Sequence, residues 1–214
     1  QRGKLIAAYQ QLTQQQEALV ERTRPLMMVV ALNRRQRLTL GELGYEQTDV
    51  RIAASALSEQ VTQQLVFSHI HERIDTLSSS VSRQLLRARQ SNGVVNQQEQ
   101  VAELLRTLAA ALEQSEPRHP FASASGGGGG SGGGGGALPT DVVPPLAELK
   151  ALRGLQETIH GLTREVSDLR QREGRDWRNR LMELGVRQEV VAELGMQLMR
   201  KMNQLTQEPL NAAP

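Results

Sequence analysis

The sequence predicts an all-α fold in which long helices form a helical hairpin and a coiled-coil bundle. Only 2% of the 214 residues are aromatic, so the core must be built from aliphatic side chains, which suits helix-on-helix packing. Apolar residues recur at helical spacing along most of the chain. A third observation is that a helical segment near the start is repeated, in outline, near the end.

The repeat consists of two short submotifs in the same order. Residues 16–50 contain QE-x5-TR followed by ELG-x2-Q-x2-V, and residues 156–191 contain both after a spacer one residue longer. Leu12 then matches Leu152, and Leu19 matches Ile159, so the copied property is an apolar pattern. This favours a duplicated packing unit over a duplicated active site. The alternative is that two helices rich in Gln, Glu and Leu match through composition alone.

The N-terminal segment, residues 1–115, is predicted to begin with a helix from Gly3 to about Arg24. Pro25 lacks an amide hydrogen and predicts a boundary or a bend. A second helix is expected from Leu26 to about Leu40. Glycine lowers helix propensity, so Gly41 and Gly44 predict a stop or a kink.

The longest helical pattern runs from Glu46 to about Arg89 and predicts a helix of about 60 Å at 1.5 Å per residue. Ser91-Asn92-Gly93 is expected to end it, and Asn96 to cap the next helix. That helix would end at Gln114 and form the second arm of the hairpin. Its apolar stripe is Val101, Leu104, Leu105, Leu108 and Leu112.

Residues 116–145 are predicted to be a flexible linker rich in proline and glycine. The segment contains five prolines and the tract 126–136, which is glycine except for Ser131. Such a chain buries no core and leaves the direction of the following helix open. The tract is either a natural low-complexity insertion, which its proline-rich apolar flanks favour, or an engineered join.

The C-terminal segment, residues 146–208, is predicted to form coiled-coil helices, with a short tail over 209–214. Apolar residues alternate in steps of four and three, which keeps one seam facing a partner helix. Glu173-Gly174-Arg175 is expected to interrupt the pattern, Asp176 to cap a last helix and Pro209 to end it. The predicted interaction seam is Leu155, Ile159, Leu162, Val166 and Leu169.

Charge and cysteine usage exclude several classes of function. Basic and acidic residues number 25 and 23 and are interspersed, and the arginine runs at 34–37 and 170–180 lie near acidic residues. Nucleic-acid binding needs clustered cations, so no nucleic-acid partner is expected. Without cysteine, thiolate catalysis and thiolate metal sites are absent. The longest apolar run, 26–32, is too short to span a bilayer.

No catalytic, metal or cofactor constellation is evident in the sequence. His69 and His71 point in different directions on a helix and lack the further ligands that zinc requires. The serines at 78–80 have no histidine in the next turn, and the glycine tract lacks the lysine of a phosphate-binding loop. We therefore predict a non-enzymatic protein with no catalytic, cofactor-binding or metal-binding residues and no cofactor.

The segment PLAELKALRGLQETIHGLTREV, which follows the glycine-rich tract, resembles part of a set of uncharacterised helical proteins from planctomycete bacteria. Those proteins carry an ELKxLRxLQ segment, followed by a threonine, after a glycine-rich linker and a helical hairpin. The matching residues are Glu148, Leu149, Lys150, Leu152, Arg153, Leu155, Gln156 and Thr163. The resemblance implies a bacterial coiled-coil protein that is extracytoplasmic (periplasmic) or membrane-anchored, and it supplies no catalytic residue.

Together these observations predict a coiled-coil scaffold or protein–protein interaction module. Its expected partner is a second copy of the chain or another helical protein. The alternative function is the soluble part of a membrane-anchored envelope or transport assembly. Because the sequence begins with Gln1, contact with a membrane is expected only through a segment upstream of that residue.

Overall fold

The structure is a computed structural model that describes residues 1–115, 143–171 and 177–211, and the side chains in those ranges other than 92, 169–171 and 205–211. Within those ranges all regular structure is helical, which confirms the all-α prediction. Residues 116–142 of the predicted linker at 116–145 and the positions 172–176, including Asp176, lie outside the described residues. The end of the predicted linker is ordered instead, because Val143 is buried in the core and a helix begins at Pro145. The helices are α1 (Arg2–Met27), α2 (Arg34–Ser58), α3 (Leu65–Leu86), α4 (Asn92–Gln114), α5 (Pro145–Gln171) and α6 (Trp177–Asn211).

Helices α1 to α4 form an antiparallel four-helix bundle. Helix α1 packs on α2 and α4, and α3 packs on the same two helices from the opposite corner. Polar contacts at both ends show that α1 and α4 run in opposite directions. Arg2 donates to the carbonyl of Leu112 at 3.1 Å, whereas Arg24 pairs with Glu99 at 2.8 Å. The connections between successive helices of the bundle are short, which also favours antiparallel neighbours.

The bundle core is aliphatic, as the scarcity of aromatic residues predicts. Tyr9 and Phe67 are the two aromatic side chains buried in it, and neither has measurable exposure. All five residues of the predicted α4 stripe are buried, and α4 ends at Gln114 as predicted. Burial of each large aliphatic side chain contributes roughly 1.5–3 kcal/mol, so this stripe is the main attachment of α4 to its neighbours.

Helix α2 passes through both glycines that were predicted to stop or kink it. At Gly44 an added Cβ would lie 2.9 Å from Cγ of Leu86 and 3.1 Å from its backbone nitrogen. The missing side chain therefore allows α2 and α3 to approach closely, and the carbonyl of Gly44 accepts a hydrogen bond from Ser82 at 2.9 Å. The packing of the two helices outweighs the weak helix propensity of glycine.

Two further helix boundaries differ from the predicted ones. Helix α1 continues through Pro25 to Met27, because a proline in the last turn removes only one backbone hydrogen bond. The prediction of a single helix from Glu46 to about Arg89 is wrong. The chain leaves α2 after Ser58, makes one 3₁₀ turn over Glu59–Val61 and starts α3 at Leu65, which folds α3 back onto α2.

The turn from α3 to α4 comes earlier than predicted. Ala88 adopts φ 47°, and the amide of Arg89 donates to the carbonyl of Gln84 at 3.0 Å, which is the Schellman arrangement of a helix end. Ser91, rather than Asn96, caps α4 by accepting a hydrogen bond from the amide of Gly93. A non-glycine residue in the left-handed conformation costs roughly 1–2 kcal/mol, which makes this helix end hard to recognise from sequence.

Helices α5 and α6 form a second unit, a hairpin that packs on α3 and α4. Lys150 of α5 hydrogen-bonds the carbonyl of Gln114, and Lys201 of α6 donates to the carbonyl of Gln63 at 3.1 Å. A groove of about 640 Å³ lies between α4 and α5. Helix α6 continues through Pro209 to Asn211 instead of ending at the proline, which again lies in a last turn.

The two copies of the sequence repeat occupy related places. The first copy spans α1 and α2 and the second spans α5 and α6, and each hairpin places its first helix on α4 and its second on α3. Leu19 and Ile159 are both buried, as are Val50 and Val191, whereas Leu12 is buried and Leu152 only half-buried. The duplication itself stays a prediction, because similar packing also arises between unrelated amphipathic helices.

We expect the two glycines of α2 to respond to alanine with opposite signs. An added Cβ at Gly41 meets nothing within 4 Å, so Gly41→Ala should stabilise the protein by roughly 0.5–1 kcal/mol through helix propensity. Gly44→Ala should destabilise it by roughly 1–3 kcal/mol because α2 and α3 are forced apart. Urea unfolding followed by circular dichroism measures both. Stabilisation by Gly44→Ala would contradict the close packing.

Candidate functional site

The predicted interaction seam is covered by α6. Ile159 and Val166 are buried in a cluster with Leu184 and Val191 of α6, and Leu155 and Leu162 pack against the cluster half-buried. The side chain of Leu169, the fifth predicted seam residue, lies outside the described side chains. The seam therefore holds the α5–α6 hairpin together within one chain, and a partner surface has to be sought elsewhere.

The outer face of α6 carries the largest group of exposed apolar side chains on any one described helix. Leu181 and Met199 are 47% and 62% exposed. Among its described side chains, α6 fully buries Leu184, Val191, Leu194 and Leu198, because α5 and α3 cover one side of it. We call the exposed set the α6 outer face: Leu181, Met182, Val186, Met196 and Met199.

A partly buried ion pair attaches the hairpin to the bundle. The carboxylate of Glu148, 2% exposed, accepts the backbone N–H of Val66 at 3.0 Å and the ammonium of Lys201 at 3.2 Å. Gln64, the N-cap of α3, makes no side-chain capping bond. Glu148 thus supplies from α5 the negative charge that a helix N-terminus favours. This one contact connects α3, α5 and α6.

Tyr9 and His71 form a buried polar pair across the bundle core. The Tyr9 hydroxyl lies 2.8 Å from Nε2 of His71, and the two rings are 5.7 Å apart. Burial lowers the pKa of His71 to about 4 and raises that of Tyr9, so both groups are neutral near pH 7. His71 is buried because α3 turns this face towards α1.

Three glutamine side chains form a second polar cluster inside the bundle. Gln16 and Gln47 exchange hydrogen bonds at 3.2 and 2.8 Å, and Nε2 of Gln98 donates to Oε1 of Gln47 at 3.1 Å. All three have no measurable exposure. The cluster joins α1, α2 and α4. Such groups are acceptable in a core only when their partners are aligned, so the cluster favours one helix register.

The chemical groups considered in the sequence do not converge in the structure. His69 is half-buried on α3. Burial lowers its pKa, the charge of Glu72 raises it by less, and the charge of Arg73 lowers it further. The hydroxyl of Ser78 is buried and has no hydrogen-bond partner among the described residues. In the described part of the chain no group of three or more His, Asp or Glu residues is placed to hold a metal ion, and no helix is long and apolar enough to cross a membrane.

Comparisons with protein-family models, curated proteins and solved structures found no match to this chain.

We expect Glu148→Ala to loosen the hairpin from the bundle. The change leaves the amide of Val66 buried without its acceptor, at a cost of roughly 1–3 kcal/mol. Hydrogen exchange should accelerate in the first turn of α3. Glu157→Ala is the control, because Glu157 forms an exposed pair with Arg153 on the same helix and should change stability little. Equal exchange in the two variants would contradict the role of Glu148.

Stability should fall on acidification because His71 is buried as a neutral group. The pKa of His71 is about 4 in the folded protein and 6.5 in the unfolded chain. Its contribution to the free energy of unfolding is therefore fully present above pH 6.5 and is lost as the pH falls towards 4. Over this range the free energy of unfolding falls by roughly 3 kcal/mol. Urea midpoints between pH 7 and pH 4 measure it. His71→Phe should flatten the profile, and the control His160→Phe, at an exposed position on α5, should not. An unchanged profile in His71→Phe would exclude His71 as its source.

Proposed function

We propose that the protein is a non-enzymatic helical scaffold or interaction module that binds a partner helix through the α6 outer face. The observation that carries the proposal is the exposure of five large apolar side chains on a helix whose other side packs on α5 and α3. Clustered exposed apolar residues mark interaction sites on soluble proteins more often than isolated ones do.

The composition of the α6 outer face supports a protein partner. Three of its five residues are methionines, whose flexible side chains adapt to the shape of a partner helix. Charged residues lie alongside, among them Glu189 and Arg200, so the face alternates apolar and charged positions as helix–helix contacts do. The partner proposed first is the α6 outer face of a second copy of the chain.

The same arrangement supports a non-enzymatic role. The buried titratable groups in the described ranges, Tyr9, His71 and Glu148, each have a structural partner inside the fold. A reaction centre would combine such groups with a cleft, yet these lie in a core and at a helix cap. Substrate turnover by the purified protein would contradict this part of the proposal.

Self-association through α6 is tested by sedimentation velocity. We expect the wild-type protein to dimerise at high micromolar concentration and the double variant Met182→Lys/Met196→Lys to remain monomeric, because each lysine places a charge in the contact. Ile52→Lys is the control, since Ile52 is an exposed apolar residue on α2. Circular dichroism should show that all three proteins are equally helical.

A wild-type protein that is monomeric at every concentration would contradict self-association. Dimers that persist in the α6 variant and disappear in Ile52→Lys would place the interaction on α2 instead.

A further inference from the structure

The two turns at one end of the bundle meet. Nε2 of Gln90, in the turn between α3 and α4, donates to the carbonyls of Leu26 and Val29 at 3.0 and 2.8 Å, and the backbone N–H of Ser91 lies 3.4 Å from Sδ of Met27. The chain segments around residues 28–37 and 83–91 therefore form a single surface. They are separated by about fifty residues of sequence.

Residues 28–37 and 83–91 carry six exposed arginines and no acidic residue, although Glu99 pairs with Arg24 near the same end. Neither residues 25–41 nor residues 76–98 contain an aspartate or a glutamate. Within the described ranges none of the six forms an ion pair, whereas Arg22, Arg51 and Arg106 elsewhere in the bundle each pair with a carboxylate. The six are Arg34, Arg35 and Arg37 at the start of α2, and Arg83, Arg87 and Arg89 at the end of α3.

The same end exposes an apolar loop. Residues 28–32 read Met-Val-Val-Ala-Leu and connect α1 to α2. Val30 is 101% exposed and Met28 75% exposed, and Leu38 and Leu86 stand exposed beside them. The loop is largely exposed, with Val29 and Leu32 half-buried, and arginines follow it in sequence. Exposed aliphatic residues next to cations occur where a protein contacts both the acyl chains and the headgroups of a membrane. We call residues 28–38 and 83–91 the cationic tip.

A shallow cavity lies within the cationic tip. It has a volume of about 210 Å³ and is lined by Ser80, Arg83, Gln84, Arg87 and Arg89. Its side chains are hydrogen-bond donors, and its three guanidinium groups have no carboxylate among the lining residues. This chemistry matches the phosphate of a lipid headgroup.

We propose that the cationic tip docks on an anionic lipid bilayer, with the loop at 28–32 inserted between headgroups and the six arginines on the lipid phosphates. Each cation near an anionic surface strengthens attachment, and the aliphatic loop adds burial of apolar surface. A nucleic acid fits the tip less well, since neither 25–41 nor 76–98 contains an aromatic residue for base stacking. The inference is independent of the proposed function of α6.

The primary test is co-sedimentation with vesicles. The protein should bind vesicles that contain phosphatidylserine, bind neutral phosphatidylcholine vesicles far less, and dissociate at high salt. Arg34→Ser/Arg87→Ser should weaken binding by about fivefold for each arginine. Arg164→Ser/Arg200→Ser removes the same charge from the hairpin and is the matched control. Absence of binding to anionic vesicles, or equal loss in both double variants, would overturn the proposal.

Insertion of the loop is tested separately from charge. The chain contains no cysteine, so Val30→Cys and the control Ile52→Cys each accept a single environment-sensitive dye. A blue shift with anionic vesicles is expected only at position 30, which lies in the loop. Equal shifts at both positions, or none at position 30, would overturn insertion.

Fluorescence anisotropy with a labelled DNA duplex and a labelled RNA distinguishes the other polyanions. We expect the protein to bind the DNA and the RNA more weakly than it binds anionic vesicles. Val30→Asp should reduce vesicle binding severalfold and leave binding to the two nucleic acids unchanged. Nucleic-acid binding that exceeds vesicle binding at the same salt concentration would overturn the membrane assignment in favour of a nucleic acid.

Discussion

The α3–α4 hairpin is the surface on which the rest of the protein depends. Helix α4 contacts α1, α3 and α5, and α3 contacts α2, α4 and the C-terminal hairpin. A helix with three neighbours needs apolar residues on most of its circumference and small ones where the neighbours are closest. Helix α4 satisfies both needs, with Leu105 and Leu108 pointing into the core and Ala102, Ala109 and Ala111 buried at other faces.

Buried polar groups add specificity to a core that is otherwise aliphatic. Leucine and valine side chains pack acceptably in more than one register, whereas a hydrogen bond between buried side chains tolerates almost no sliding. Gln47 must meet both Gln16 and Gln98, and Tyr9 must meet His71. The two sets involve all four helices of the bundle. Together they favour one relative placement of helices that apolar packing alone would leave less defined.

Periodicity predicted the parts of the fold in which one principle dominates. The α4 stripe and the α5 seam are regular apolar patterns with no competing signal, and the described residues of both are buried or half-buried as expected. The errors fall where tertiary packing outweighs local propensity. Gly44 lies inside α2 because Leu86 needs the space, and α2 separates from α3 at 59–64 although the apolar pattern continues. No local signal distinguishes those outcomes.

The candidate surfaces were harder to predict because they are made by the fold. The α6 outer face is defined by the packing of α5 and α3 on the opposite side of α6, which leaves Leu181 and Met199 exposed. The arginines at 34–37 look like an ordinary solvated face in sequence, since acidic residues follow them along α2. Their lack of carboxylate partners becomes significant when the turn at 87–91 brings more arginines to the same end.

The two surfaces are arranged so that one does not obstruct the other. Glu183 of α6 lies 3.7 Å from Arg73, whereas Lys201 reaches Gln63, so α6 runs antiparallel to α3. The cationic tip is at the end of α3, whereas the α6 outer face begins near the middle of α3, beside Arg73, and extends away from the tip. With the tip on a bilayer, α6 would remain in water and accessible to neighbouring proteins. Confinement to a surface raises the effective concentration of such neighbours, which favours a contact too weak to form in dilute solution.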